Sequence, residues 1–373
     1  MGRRHRRLEG APHATAGPGA RAGRSRRRHL APPPGHRPRH RELRSGIVQF
    51  TPTLPKELVH RSAVEEVFLT DAERHGEDEM LLAARFPRRH AFYDDTLGPG
   101  DRLDPFLLLE ACRQGIFVVA HRYLGVRPGH KFLLRAVEFE VPDPAALTRG
   151  DRPTEAVVTT RIEKRFATRA EVRGLRLRFG LSIGAREALA ARIDYSWMPP
   201  EDWTSLRARQ RGALGLPAVP VALRGRHVEP ALVGRRASAN TVISPPRTTD
   251  DGTHTARLLA ETTHPTLYDH WVDHVPGMLE LEAFRQLALR AAVSAGTVRT
   301  PSPLPVALAA RFRRFAEMDL PLECRAAPAP PGAAVECTLR QPGSVAAEAR
   351  IRFADADAGP VRALAAPAVH RAA

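Results

Sequence analysis

Two short segments of the chain, LLLEACRQ and LELEAFRQ, place charged residues inside apolar runs. The shared residues are Glu110, Arg113 and Gln114 in the first segment and Glu282, Arg285 and Gln286 in the second. On a helix, residues three and four positions apart lie on one face, so each set forms a single polar patch. A buried charge is costly unless it meets an opposite charge, a backbone donor or a ligand. The pattern therefore predicts either a catalytic group or an internal ion pair that fixes the packing.

The second segment follows a loop that is rich in groups capable of chemistry. The residues YDHWVDHVPGM precede it, and they include Asp269, His270, Asp273 and His274. Pro276 and Gly277 open the helix, so the first free amides of that helix are directed at the preceding loop. Such a helix start can polarise a thioester carbonyl or hold an anion. A metal site built from these histidines and aspartates is not favoured, because the usual zinc spacings are absent.

The two segments belong to a longer internal repeat. VHRSAVEEVFLT precedes the first and VGRRASANTVIS precedes the second, and the Tyr93-Asp94 and Tyr268-Asp269 pairs lie between. These matches keep the same order, which indicates a duplicated domain.

Each half is predicted to contain an early strand, one apolar helix and then several strands. The first helix starts at Pro105 with Asp104 as its N-cap, and the second starts near Pro276 and ends at Gly296. Later segments alternate apolar and polar residues, as in Leu175 to Ile183, which is typical of half-buried antiparallel strands. The expected fold class is therefore α+β, with an antiparallel sheet around a central helix in each half.

The predicted organisation has four parts. Residues 1–45 form an Arg-rich tail, 46–198 the first domain, 199–228 a Pro-, Gly- and Arg-rich linker, and 229–373 the second domain. The tail holds 13 arginines and two glutamates, so it carries +11 of the net charge of +16. Having almost no large apolar residues, it is predicted to be disordered. It is either a solvated tail, upstream sequence included through a mis-assigned start codon, or an arm for an anionic surface; we do not expect a nucleic-acid partner.

The composition indicates the cellular compartment of the protein and bears on membrane association. The three cysteines, Cys112, Cys324 and Cys337, have no paired or metal-ligand spacing, which favours the reducing cytoplasm. No apolar run approaches the roughly 20 residues of a membrane span, so no membrane association is expected.

The combined motifs resemble those of the A-factor biosynthesis (AfsA-type) hotdog family of actinomycetes. The resemblance rests on VHRSAVEEVFLTD, on DPFLLLEACRQ with AHRYLGV, and on DHWVDHVPGMLELEAFRQ. It implies a tandem hotdog fold, in which each long helix is wrapped by an antiparallel sheet. It also implies an acyltransferase that joins a β-ketoacyl group from acyl carrier protein to dihydroxyacetone phosphate, in the synthesis of a γ-butyrolactone signal. No cofactor is implied, and pairing of two chains stays open.

Such a reaction needs a base for the hydroxyl, donors for the oxyanion and a cation for the phosphate. Glu282 is the candidate base, and Arg285 the candidate partner of the phosphate or of Glu282 itself. The amides of Gly277 and Met278 are candidate oxyanion donors. Glu110 and Arg113 offer a second set. The remaining candidates for substrate binding are His270, His274, Asp269, Gln114 and Gln286.

Two other functions stay open at this point. One is a thioesterase or dehydratase acting on acyl-carrier substrates. The Pro-Gly start of the second helix resembles that of hotdog dehydratases, but Tyr268 occupies the position of their catalytic histidine. The other is a non-enzymatic regulator that binds the acyl signal.

Overall fold

The computed structural model describes residues 48–354 except 99, 169, 170 and 301. The predicted disordered tail, residues 1–45, lies outside the described residues. No helix within the described ranges combines the length and the apolar character needed to cross a membrane.

Twelve antiparallel strands of the described chain form one sheet, in the order β1-β2-β4-β5-β6-β3-β9-β12-β11-β10-β8-β7. The first half contributes β1 Leu69–Arg74, β2 Glu79–Phe86, β3 Lys131–Glu140, β4 Thr154–Thr168, β5 Glu171–Ile183 and β6 Arg186–Met198. The second half contributes β7 Arg247–Thr248, β8 His254–Arg257, β9 Leu304–Phe312, β10 Glu323–Ala326, β11 Val335–Gln341 and β12 Ser344–Ala354.

The strand order is the same in both halves when each is read from its own outer edge. The two halves meet at their inner strands, where β3 pairs with β9 from Ala136 opposite Arg311 to Glu140 opposite Ala307. The sheet is thus continuous through a local two-fold relation, and the predicted duplication and tandem hotdog fold are confirmed. The predicted alternation in β5 is also observed, because Leu175, Leu177, Phe179 and Leu181 are all buried.

One long helix is central to each half. Helix α1, Pro105–Val118, is capped by the Asp104 carboxylate, which accepts from the Phe106 amide at 2.9 Å. It continues into a π-helical turn, Val119–Tyr123. Helix α3, Gly277–Ser294, begins at Pro276, which provides no side-chain cap. Nearly every residue of α1 is buried, which is expected of a helix that is apolar on all sides.

A further helix, α2, Pro200–Ala213, occupies the region expected to be a linker. The composition of this region predicts a connector and no helix. The buried face of α2 consists of Trp203, Arg207 and Arg211. Because two of these three residues are arginines, the sequence shows no apolar stripe that would predict a helix. The proposed domain boundaries therefore separate α2 from both sets of strands.

Candidate active site

The first polar patch is a buried ion cluster built on α1. Glu110 is completely buried, and it accepts hydrogen bonds from Arg113 at 2.7 and 2.9 Å and from Arg61 at 2.5 Å. Burial alone would raise the pKa of Glu110, but the two guanidiniums lower it to about 2. Glu110 is therefore a permanent carboxylate that holds two arginines in place.

The second patch on α3 repeats this arrangement with a different charge balance. Arg235 donates to Glu282 at 2.7 Å, while Arg285 lies 2.6 Å from Glu282 and also binds Asp104. Glu282 and Asp104 thus share Arg285. Burial raises the pKa of Glu282 to about 7, against the opposing charge of Arg235, and the charge of Asp104 adds to the rise.

Both glutamines of the repeat have the same structural task. Gln114 accepts from the Phe68 amide at 2.9 Å and donates to the Glu66 carbonyl at 2.7 Å. Gln286 accepts from the Val242 amide at 3.0 Å and donates to the Asn240 carbonyl at 2.8 Å. Each side chain therefore satisfies two backbone groups that strand pairing leaves free. Neither borders the large cavity described below.

Loops cross between the halves in a reciprocal way. Asp269 of the second half accepts from the amides of Ser62 and Ala63 at 2.6 and 2.8 Å. Asp95 of the first half accepts from the amides of Arg236 and Ala237, each at 3.2 Å. The structural counterpart of Asp269 is therefore Asp95, one residue beyond the Tyr-Asp pair used to align the repeat. Each helix consequently faces the loop of the other half.

This crossover forms one large cavity of about 1250 Å³ between α1 and the loop that precedes α3. Of the sequence-predicted residues, Arg113, Asp269, His270, His274, Gly277 and Met278 line it. Glu110 lies behind Arg113. Glu282, Arg285 and Gln286 do not border this cavity; Arg285 instead lines a separate cavity of about 340 Å³ with Asp104 and Arg235. The structure thus separates Glu282 from the histidines with which the sequence analysis grouped it.

At the start of α3, the amides of Gly277 and Met278 have no acceptor among the described residues, and both residues line the large cavity. Leu279 and Glu280 already donate to the Pro276 carbonyl as the helix turns. Because Pro276 has no capping side chain, the amides of Gly277 and Met278 remain at the cavity wall. A Cβ on Gly277 would lie 3.0 Å from Leu134 Cδ2, so glycine also keeps this wall close-packed. The start of α1, by contrast, is closed by Asp104.

Helix α2 covers the cavity and fixes the loop before α3, which we call the histidine loop because it carries His270 and His274. Arg207 donates to Asp273 at 3.0 Å and to Glu317 at 2.6 Å, and Arg211 donates to the same Glu317 at 2.6 Å. Asp273 in turn lies 2.8 Å from His274 Nδ1. Burial would raise the pKa of Asp273, but His274 and Arg207 lower it to about 2. The carboxylate therefore keeps the His274 ring oriented.

The walls of the cavity are of two kinds. Arginine, lysine and histidine side chains line it together with apolar side chains, and His60 and Arg113 both pack against Phe117. The apolar residues include Leu58, Ile116, Phe117, Phe132, Leu134, Leu216 and Val272. Trp271, which is 72% exposed, stands on the same loop. Such a cavity suits a ligand with an acyl chain and an anionic end.

Among the described residues, no three His, Cys, Asp or Glu side chains come together as a group that could hold a metal ion. Sequence reasoning missed Arg61 and Arg235, which complete the two ion clusters, and it missed the buried arginines of α2. The first two had a visible signal, since VHRS and VGRR align 174 residues apart and both place an arginine third.

The repeated sheet, the two central helices and the cavity between the halves define a double-hotdog protein. A family model described as the A-factor biosynthesis hotdog domain matches residues 44–199 and again residues 219–355. The chain belongs to the A-factor biosynthesis hotdog family.

Three curated relatives named 2-oxo-3-(phosphooxy)propyl 3-oxoalkanoate synthase are similar to it. The one from Streptomyces virginiae is 32% identical over 284 residues, which cover 75% of this chain and 89% of the relative. The one from Streptomyces coelicolor is 30% identical over 300 residues, covering 80% and 90%. The one from Streptomyces griseus is 32% identical over 269 residues, covering 71% and 82%.

Proposed function

We propose that this protein is an acyltransferase that moves a β-ketoacyl group from acyl carrier protein to the hydroxyl of dihydroxyacetone phosphate. The name of its relatives describes such a product, a 3-oxoalkanoate ester of a 2-oxo-3-(phosphooxy)propyl group. The product is the precursor from which a γ-butyrolactone signal is made. The free, buried thiols of all three cysteines suit the reducing cytoplasm, where we propose that the reaction takes place.

One observation carries this proposal: the open amides of α3 and the arginine of α1 border the same cavity. Gly277 and Met278 supply two donors for the thioester oxygen, which becomes an oxyanion during acyl transfer. Arg113 is fixed by Glu110, and its remaining guanidinium nitrogen is available to a phosphate. Lys131 lines the same cavity and adds a second positive charge.

The remaining cavity residues complete the substrate site. The apolar side chains take the acyl chain. His270 and His274 lie on the loop before α3, and each presents Nδ1 to a carboxylate, so a neutral ring can accept a hydrogen bond from the thioester arm through Nε2. Asp269 anchors that loop to the first half. An acidic carrier protein would approach past Trp271, towards a protein body with a net positive charge.

The sequence analysis proposed Glu282 as the general base. Its carboxyl group lies outside the large cavity, and Glu110, behind Arg113, is too acidic to accept a proton at neutral pH. We therefore assign Glu110 to positioning. Arg285 lines the second, smaller cavity, and Glu282 borders neither cavity. Glu282→Gln keeps the size of the side chain but removes its charge. Retention of turnover by this variant would support the conclusion that Glu282 takes no part in the chemistry.

The experiment is a comparison of two equivalent arginines. Purified protein is incubated with a β-ketoacyl carrier protein and dihydroxyacetone phosphate, and the ester is quantified by mass spectrometry. Arg113→Gln is expected to raise the KM for dihydroxyacetone phosphate by about 10- to 100-fold, since it removes a charge-assisted contact worth about 1.5–3 kcal/mol. Arg285→Gln, its partner in the repeat, is expected to leave that KM unchanged.

Two results would contradict the proposal. Free β-keto acid as the product, with no dependence on dihydroxyacetone phosphate, would make the protein a thioesterase. A raised KM for dihydroxyacetone phosphate in Arg285→Gln, with an unchanged KM in Arg113→Gln, would indicate that the phosphate binds in the smaller cavity.

A further inference from the structure

We infer that His60 is the general base of the acyl transfer, and that His121 is its positioning and relay partner. Neither residue is among the site residues predicted from sequence. The inference rests on the proposed function and adds to it the group that takes the proton from the attacking hydroxyl. Both histidines line the large cavity.

The hydrogen bonds of the two rings determine where their protons lie. His121 Nδ1 is 2.6 Å from the Val126 carbonyl oxygen, which can only accept, so His121 carries its proton on Nδ1. When His121 is neutral, its Nε2 is bare, and it lies 2.8 Å from His60 Nε2. His60 must then be the donor in that bond. Its own Nδ1 is consequently bare, and that atom has no hydrogen-bond partner among the residues that the structure describes.

The backbone at His60 indicates that the side chain is kept for its chemistry. His60 has φ 54° and ψ 54°, and within the described ranges it is the one residue other than glycine with a positive φ. Its counterpart in the second half, 174 positions on, is Gly234, with φ 73°. The repeat therefore needs a left-handed corner here, which glycine adopts without strain. Only the half whose corner faces the large cavity has a histidine in place of that glycine, a pattern of strain that is typical of functional sites.

The ring is also held rigidly. It stacks on Phe117 at 4.2 Å with an interplanar angle of 5°, and Phe132 contacts it edge-on at 5.1 Å. His121 lies on the π-helical turn that follows α1, and this turn directs its ring against His60. Turns of this kind within helices occur frequently at functional sites. A base held in one orientation avoids the entropic cost of positioning during the reaction.

The proton transfer balances within the reaction. His60 Nδ1 takes the proton of the hydroxyl as its oxygen bonds to the thioester carbon. The His60 Nε2 proton can shift to His121 Nε2, which spreads the positive charge over both rings. As the tetrahedral intermediate collapses, the carbon–sulfur bond breaks and the proton returns to the departing thiolate. The products are the ester and the free carrier thiol, with no other reactant.

The charged groups around His60 connect this step to substrate binding. Burial lowers the pKa of His60 to about 3, and His121, Arg113, His270 and Lys131 add to the effect. His60 is therefore neutral at physiological pH, and it is a weak base while the cavity holds no substrate. A phosphate bound by Arg113 and Lys131 would offset two of these positive charges. The basicity of His60 then rises when dihydroxyacetone phosphate is in place.

The test replaces His60 with glycine, the residue that occupies the equivalent position, Gly234, in the second half. His60→Gly deletes the base but retains the left-handed corner. We expect kcat for ester formation to fall by about 10²- to 10⁴-fold, with the KM for dihydroxyacetone phosphate nearly unchanged and the melting temperature equal to or above that of the wild type. Added imidazole should enter the vacated space and restore turnover, with a dependence on pH that follows neutral imidazole. His121→Asn should give a smaller loss, since His60 would keep its lone pair.

His274→Gln, at the other oriented histidine of the cavity, serves as the comparison and should not respond to imidazole. A folded His60→Gly variant with kcat within about threefold of the wild type would overturn the inference, and so would a loss that imidazole does not restore. In both of those cases the wild-type protein still makes the ester, so the proposed function stands. Absence of the ester with wild-type protein would overturn the proposed function and the role of His60 together.

Discussion

The duplicated ion clusters predict different pH dependence between pH 5 and pH 8 for two equivalent substitutions, Glu110→Gln and Glu282→Gln. Both glutamates are buried on the central helix of their half, and both meet two arginines. They differ in that Asp104 shares Arg285 of the second cluster, whereas the two arginines of the first cluster both donate hydrogen bonds to Glu110 itself.

The magnitude for Glu110 follows from its lowered pKa. A change from the ordinary 4.5 to about 2 corresponds to about 3 kcal/mol of stability, at 1.36 kcal/mol per pKa unit. Because the pKa is lowered on folding, this stability is present above pH 4.5 and is lost as the pH falls towards 2. Glu110→Gln also leaves two buried guanidiniums with a neutral partner, a loss that typically costs about 3–5 kcal/mol. The penalty should be constant between pH 5 and pH 8.

The sign is reversed for Glu282. Its pKa rises on folding from 4.5 to about 7, so the folded protein binds the extra proton. The associated stability is present below pH 4.5 and is lost as the pH rises through 7, by a total of about 3 kcal/mol. Glutamine cannot ionise and so avoids this loss. The penalty of Glu282→Gln should therefore shrink between pH 5 and pH 8, and the variant should become the more stable protein at the alkaline end.

Urea denaturation of the wild type and both variants at several pH values between 5 and 8 measures these differences. Two parallel curves for the variants would refute the reasoning, since it requires one flat and one falling penalty. A penalty for Glu110→Gln that disappears within this range would show that Glu110 is not the low-pKa carboxylate of the cluster.

Three further results are expected. Arg207→Ala leaves a buried carboxylate short of a partner and releases the histidine loop, so it should lower the free energy of unfolding by about 3–5 kcal/mol and reduce turnover; Arg209→Ala, on the exposed face of the same helix, should do neither. Gln114→Leu and Gln286→Leu each leave two backbone groups unpaired, so their penalties should agree within about 1 kcal/mol, in the range of 2–6 kcal/mol, when unfolding is measured by urea titration. The three buried cysteines, whose thiol pKa values burial raises, should react with a thiol reagent such as dithionitrobenzoate only after unfolding; rapid labelling of Cys112 in native protein would contradict its burial beside α1.

Much of the fold could be predicted because duplication leaves a repeated pattern. The apolar helix with Asp104 before Pro105 and the alternation from Leu175 to Ile183 each report a local property, helix capping or strand burial. The pairing of Glu110 with Arg113 also follows from helical spacing. These features depend on neighbours along the chain, which sequence periodicity records directly.

The composite site depends instead on contacts between distant parts of the chain. Nothing in the spacing of His270 and Glu282 indicates that only His270 borders the large cavity, because that separation arises from the crossing of loops between the halves. The role of Arg207 was hidden for a similar reason, since a buried arginine is stable only with carboxylates more than 60 residues away. The sequence repeat aligns His60 with Gly234, but only the backbone angles show that both positions form a left-handed corner.

The most direct test of acyl transfer uses dihydroxyacetone phosphate labelled with carbon-13. The protein is incubated with this compound and a β-ketoacyl carrier protein, and the products are separated and weighed by mass spectrometry. The account predicts a phosphorylated ester that contains both the acyl chain and the label, together with an equal amount of free carrier thiol. An unlabelled β-keto acid as the only acyl product, or an acyl carrier protein that remains intact, would contradict it.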